Sequence, residues 1–179
     1  SGVIEGQRGP GGGGYPEALS LKTDLQWFRW AENYYKNFIE RDVNFLAGES
    51  LSPATVGKFW NMLTGINGNI LNYEMLSRSL GISRPTVIKY MDFMEGAYLV
   101  YRMQPWFMNV SKRIVKAPKL YFRDTGVLHY LNRINRLDEL KNHIAAGASW
   151  EGFVIEQVRQ LKPPALSTYY YRTHHGAEA

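Results

Sequence analysis

Two groups of cations are the residues best placed to do chemistry. Arg84 and Lys89 follow Ser83 within one short amphipathic stretch. Lys112, Arg113, Lys116 and Lys119 come later, with Arg123 just beyond. Cations grouped in this way suit phosphate oxygens, and a helix that carries Ser83, Arg84 and Lys89 can present them to base edges in a groove. The competing reading of the later group is a solvated loop, or one that pairs with an acidic neighbouring domain. The acidic candidate is Glu151, near the start of an amphipathic stretch. One carboxylate does not hold Mg²⁺ octahedrally for phosphodiester cleavage, so complementing a helix dipole is the simpler role for it. His129 and His143 lack acidic partners at ligand spacing, adjacent His174 and His175 point different ways on a strand, and there is no cysteine. No metal site is assigned.

The first cation group depends on the stretch from Leu71 to Tyr101. Asn72 caps a helix whose apolar positions Met75, Leu76 and Leu80 recur at helical spacing. Gly81 stands where a helix ends in a left-handed residue, and Ile82 plugs the turn. Ser83 caps a second helix with Pro85 in its first turn, where a missing N–H costs nothing. Val87, Tyr90, Met91 and Met94 line its inner face, which turns Arg84, Ile88 and Lys89 outward. Helix, glycine turn and helix form a helix-turn-helix, although a plain αα-corner has the same outline. Two strands are expected next, from Gly96 to Met103 and from Lys119 to Asp124. A strand pair after a helix-turn-helix is the arrangement of a wing, and its loop, Gln104 to Pro118, carries most of the second cation group.

The rest of the chain supports these elements. Residues 1–23 form a Gly-rich linker that buries too little to order alone. The Gly run lacks a following Gly-Lys-Ser/Thr, and Gly57-Lys58 is followed by Phe59, so no phosphate-binding loop is present. A helix from Asp24 to about Arg41 carries an aromatic stripe, Trp27, Trp30, Tyr34 and Phe38, suited to packing. Ser52-Pro53 opens a helix that runs to Thr64 and closes at Gly65. Thr125 to Asn142 is expected to be helical. Another helix, capped by Ser149, runs to Leu161 before Pro163-Pro164, and a strand follows from Ser167 to Thr173. The fold class is therefore mostly α with small β (α+β). It divides into the linker 1–23, a helical and winged helix-turn-helix domain at 24–126, and a helix-strand unit at 127–179. In 179 residues with 45% hydrophobic and 14% aromatic content, at least one good core is available. The net charge of +5 makes a polyanion partner plausible. No apolar run reaches the roughly twenty residues of a membrane span and no signal peptide is visible, so a cytoplasmic protein away from membranes is expected. A chain starting at Ser1 rather than Met is expected to be part of something longer.

Several short motifs occur together: Gly13-Gly14-Tyr15-Pro16-Glu17, Tyr35 with Arg41-Asp42, Leu80-Gly81-Ile82-Ser83 with Thr86-Val87, Pro105 with Asn109, and Lys112-Arg113. Lys116-Ala117-Pro118-Lys119, Tyr121-Phe122 with Asp124-Thr125-Gly126, Glu151 with Phe153-Val154, and Tyr171-Arg172 complete the set. In combination they resemble prokaryotic AAA-superfamily ATPases of unknown role, whose carboxy-terminal region is a domain of unknown function (4143). The resemblance implies an upstream ATPase domain that binds ATP and Mg²⁺, then a winged helix, then the start of a restriction-endonuclease-like domain. It implies that Glu151 belongs to an incomplete or vestigial nuclease-like site. This chain itself is then expected to be non-enzymatic and without a cofactor. Its expected partners are double-stranded DNA, through Ser83, Arg84, Lys89, Lys112, Arg113, Lys116 and Lys119, and its own ATPase domain; homo-oligomerisation is a further expectation. The alternative is a docking or regulatory module that packs on the ATPase domain through the aromatic helix. Ile88 on the outward face favours docking, and the cation cluster favours DNA.

Overall fold

A computed structural model describes residues 20–21, 23–37, 52–106 and 117–171. The described residues form helices α1 (Asp24–Tyr34), α2 (Pro53–Gly65), α3 (Tyr73–Leu80) and α4 (Arg84–Gly96), then strands β1 (Val100–Pro105) and β2 (Lys119–Phe122). Helices α5 (Thr125–Leu131), α6 (Leu137–Lys141) and α7 (Ala146–Leu161) and strand β3 (Tyr169–Tyr170) complete the order. The architecture is mostly helical with a small three-stranded sheet, an α+β arrangement. No helix among the described residues is long and apolar enough to cross a membrane.

Local chemistry sets the helix starts. Ser52 Oγ accepts from the Thr55 N–H at 3.1 Å, with Pro53 in the first turn of α2. Thr23 and Gln26 cap α1 reciprocally, each side chain accepting from the other's backbone N–H. Asp124 caps α5 by accepting from the Val127 N–H at 2.8 Å. The helix expected to reach Arg41 is described as α-helical to Tyr34 and passes into a π turn at 35–37. Phe38 and Arg41 lie outside the described residues, as does the Gly-rich linker as far as residue 19.

The main core joins α2, α3, α4, β1, β2 and α5. Phe59, Trp60, Leu63, Leu76, Tyr90 and Met91 are fully buried in it, together with Val127 and Leu128 of α5. Burying a side chain of this size stabilises by about 1.5–3 kcal/mol, so α5 is bound firmly to the helices that precede it. A domain boundary at 126–127 would cut through this core. Trp27 and Ala31 of α1 form a smaller cluster with Phe28, Trp30 and Tyr130, so much of the aromatic stripe is used for packing inside the chain.

The sheet order is β2-β1-β3. Strand β1 pairs antiparallel with β2, Val100 opposite Phe122 and Met103 opposite Lys119, and parallel with β3. An isolated antiparallel bridge joins Ile70 to Lys119.

Four expected boundaries change. Residues 97–99 form a turn, with Tyr98 at φ 60°, and strand β1 begins at Val100. The segment 125–142 is two helices, α5 and α6, because the chain turns between them with Arg133 at φ 58°. Helix α7 starts at Ala146, not after Ser149. Ser149 lies inside it, buried, with Oγ 2.6 Å from His129 Nε2. Of the expected strand 167–173, residues 169–170 pair and 172–173 lie outside the described residues.

Candidate nucleic-acid interface

The turn between α3 and α4 is assembled from short-range hydrogen bonds. Asn72 Oδ1 accepts from the Met75 N–H at 2.9 Å and opens α3. Gly81 closes it at φ 67°, ψ 29°, the left-handed conformation that costs an ordinary side chain free energy. Ser77 Oγ donates to the Ile82 carbonyl at 2.7 Å, and the Ile82 N–H returns to the Ser77 carbonyl at 3.2 Å. Lys58 of α2 donates to the Ser79 carbonyl, one of those that a helix end leaves without an intrahelical partner. Ser83 Oγ then accepts from the Thr86 N–H at 3.2 Å and opens α4.

Helix α4 buries Val87, Tyr90, Met91 and Met94. Its opposite face leaves Ser83, Arg84, Pro85 and Lys89 exposed. Ile88 is half-buried and packs away part of its apolar surface. That weakens the case for a protein interface made from the apolar character of Ile88. Arg78, at the end of α3, adds an exposed cation beside the turn, with Glu74 at 3.9 Å.

The carboxy-terminal half of α4 carries two carboxylates, Asp92 and Glu95, which would repel a phosphate backbone. Arg102 of β1 takes up both. Its Nε donates to Glu95 Oε2 at 2.7 Å, and one terminal nitrogen donates to Asp92 Oδ1 at 2.7 Å. The other donates to the Tyr73 hydroxyl at 3.0 Å, and the Arg102 N–H donates to Glu95 Oε1 at 2.9 Å. Burial opposes the charge on this guanidinium, but the hydrogen bonds to Tyr73, Glu95 and Asp92 outweigh it and raise its pKa above the ordinary arginine value. Sequence reasoning missed Arg102, because nothing within β1 itself points to carboxylates seven and ten positions earlier.

The second cation group divides. Lys112, Arg113 and Lys116 lie outside the described residues. Lys119 is not a loop cation: it belongs to β2 and is only 5% exposed. Its Nζ lies 3.6 Å from Glu151 Oε1 and 5.6 Å from the centre of the Tyr170 ring. An ammonium held there does not reach a phosphate backbone. The burial follows from register, since β2 is buried along its whole length between the helices and β1. Arg123 is likewise engaged, donating to Glu156 Oε1 at 2.6 and 3.0 Å, with its guanidinium over the Tyr98 ring.

Glu151 differs from expectation as well. It stands at the sixth position of α7, beyond the first turn, so the helix dipole is not its partner. Its Oε1 accepts from the Tyr121 hydroxyl at 2.8 Å and faces Lys119. Among the described residues no three of His, Asp and Glu gather into a metal-binding group. His129 bonds Ser149, and His143 Nδ1 accepts from the Ala145 N–H at 3.1 Å. His174 and His175 lie outside the described residues.

Buried Glu156 is a second residue that motif reading passed over. Burial opposes its charge, while Arg123 and Arg159 outweigh that and hold its carboxyl below the ordinary value. Asn67 is a third: its Oδ1 accepts from the Phe122 N–H at 2.9 Å and its amide donates to the Ala148 carbonyl at 3.2 Å, joining β2 to α7.

Comparison with known proteins gives the family. No solved structure matches the chain. Two mycobacterial proteins described as uncharacterized are similar to it, Mb2031c of Mycobacterium bovis and Rv2008c of Mycobacterium tuberculosis. Each is 37% identical over 166 residues, a match that covers 93% of this chain and 37% of the relative. The chain thus spans little more than a third of the length of the curated relatives it matches. Residues 12–138 match the family model of a domain of unknown function, DUF8612. The chain belongs to the DUF8612 family.

Proposed function

We propose that this chain is a non-catalytic portion of a longer ATPase, in which α2–α4, β1 and β2 act as a winged helix that binds duplex DNA. The element order supports this: a helix, the bridge at Ile70, two helices about a glycine turn, and an antiparallel strand pair. The observation that carries the reading is the charge arrangement on α4. Its amino-terminal half presents Arg84 and Lys89 beside Ser83, while Arg102 pairs with Asp92 and Glu95 toward the other end and offsets one of their two charges. A helix entering the groove by its amino end then meets phosphates with its cations, while the two carboxylates, half compensated, lie toward the far end. Lys112, Arg113 and Lys116, between β1 and β2 in sequence, are the phosphate-binding complement, and Lys119 is withdrawn from that set.

Fluorescence anisotropy with a labelled duplex at several salt concentrations tests the reading. Each phosphate neutralised contributes about 0.9 to the slope of log affinity against log salt, so changing Lys112, Arg113 and Lys116 to Ala flattens it by roughly 2–3. Arg84→Ala or Lys89→Ala costs about 1–3 kcal/mol on a preferred sequence and less elsewhere. Absence of binding at low salt, or an unchanged slope in the loop variant, rejects DNA in favour of docking.

A further inference from the structure

Helix α7 turns polar groups inward beside Ile155 and leaves large apolar side chains outward among Glu151, Gln157 and Gln160. Ser149, Gly152 and Glu156 are buried against the rest of the chain, held by His129 and by Arg123 with Arg159. The approach at Gly152 is close, since a Cβ there would lie 3.4 Å from the Tyr121 ring. These contacts fix the rotation of the helix, so it does not turn to hide its other face. On that face Trp150, Phe153, Val154, Val158 and Leu161 recur at three- and four-residue steps, and all are exposed, Trp150 at 67% and Leu161 at 84%. Trp150 and Phe153 stack at 5.6 Å.

The exposure is concentrated. Nine of the thirteen exposed large hydrophobic residues among the described residues lie between Ile144 and Tyr171. The family match ends at residue 138, just before this region. The apolar excess therefore belongs to the segment on the carboxy-terminal side of the family domain. An apolar stripe of this size, interrupted by Gln157 alone, marks a surface that is covered in the working protein.

The occupant is set by size and length. Two aromatic and three aliphatic side chains, all partly exposed, offer on the order of 500 Å². A standard stable interface between separate chains needs roughly 800 Å² per partner. A covering segment tethered to the same polypeptide works with less, because its effective concentration is high. The curated relatives supply such length, since the match covers 37% of each.

We infer that the outer face of α7, from Trp150 to Leu161, is an internal packing surface covered by an apolar segment of the same polypeptide outside these 179 residues. The inference rests on the proposal that the chain is a portion of a longer protein, and not on DNA contact. Helix α7 is then the middle layer of a unit that begins after the family domain. Its inner hydrogen bonds set its orientation, and its outer stripe receives the next layer.

The 179 residues contain no cysteine, which gives a clean probe. Val158→Cys and Leu161→Cys are made separately in this chain and in the full-length protein. Maleimide labelling of each position is followed by peptide mass analysis. In this chain both positions label at the rate of an exposed thiol. In the full-length protein both label about tenfold more slowly or less, at every protein concentration, because reaction requires local opening. Equal rates in the two proteins overturn the inference. Protection that disappears on dilution also overturns it and assigns the face to a second copy. Two positions keep the test decisive if one variant folds poorly. DNA titration of the same full-length protein is a separate readout, so failure of the DNA reading leaves the labelling result standing.

Discussion

The guanidinium of Arg102 donates to Glu95 Oε2 at 2.7 Å and so ties the first strand of the sheet to the last turns of α4. The pair decides two properties at once. It fixes the angle at which the chain leaves the helix, and it offsets part of the negative charge on the face that α4 presents.

Arg102→Ala leaves Glu95, Asp92 and the Tyr73 hydroxyl without this donor. Hydrogen bonds to charged groups contribute about 1.5–3 kcal/mol each where they are sheltered, and Asp92 is more than half exposed, so a net loss of about 2 kcal/mol is expected. Urea denaturation measures it. The paired variant Asp92→Asn with Glu95→Gln removes the charges instead and strengthens duplex binding relative to Arg102→Ala. Equal affinities for the two would show that charge on this face is irrelevant.

Gly81→Val destabilises by about 1–3 kcal/mol because φ 67° is a poor conformation for a β-branched residue. An added Cβ at Gly81 meets nothing within 4 Å, so the cost is backbone strain and not collision. Gly81→Asn, which tolerates the left-handed region, loses less. Thermal melts of the three proteins give the order glycine, asparagine, valine; any other order contradicts a turn controlled by φ.

Lys119→Ala behaves as a structural change. It leaves Glu151 and the Tyr121 hydroxyl facing the vacated position beside Tyr170, and the lost packing and pairing lower stability by about 1–3 kcal/mol. The salt dependence of duplex binding stays as in the unmodified chain. A flattened slope with unchanged stability would return Lys119 to the phosphate contacts.

Glu156 gives the fold an acid limit. Its folded pKa is depressed, so its contribution is fully present above the unfolded carboxylate value and is lost as pH falls through the lower folded one. The loss therefore begins near the ordinary glutamate value of about 4.3 and continues below it. Glu156→Gln removes this part of the pH dependence and lowers stability near neutrality. Melts between neutral pH and acid that run parallel for the two proteins would rule the contribution out.

Much of the helix pair about Gly81 was legible because its causes are local. Asn72, Gly81, Ser83 and Pro85 each act within one turn of chain, and Val87, Tyr90, Met91 and Met94 repeat at the period of the helix they bury. Capping, positive φ and periodicity are properties of neighbours in sequence, so residue order alone determined them. The α+β class followed for the same reason. Tertiary structure decided what each charge does. Lys119 and Arg123 share a cationic stretch of sequence with Lys112, Arg113 and Lys116, but strand register buries the first, and the second, one residue past β2, reaches Glu156 across the fold. Ser149 has the composition of a cap, but His129 draws it into the middle of a helix that starts three residues earlier. Both outcomes arise from residues twenty or more positions apart, whose meeting depends on how the elements pack. The apolar face of α7 shows the same division. Its periodicity is written in residues 150–161, but which side faces the core was set by polar bonds from His129 of α5 and from Arg123 just past β2, and these exist only in the folded chain.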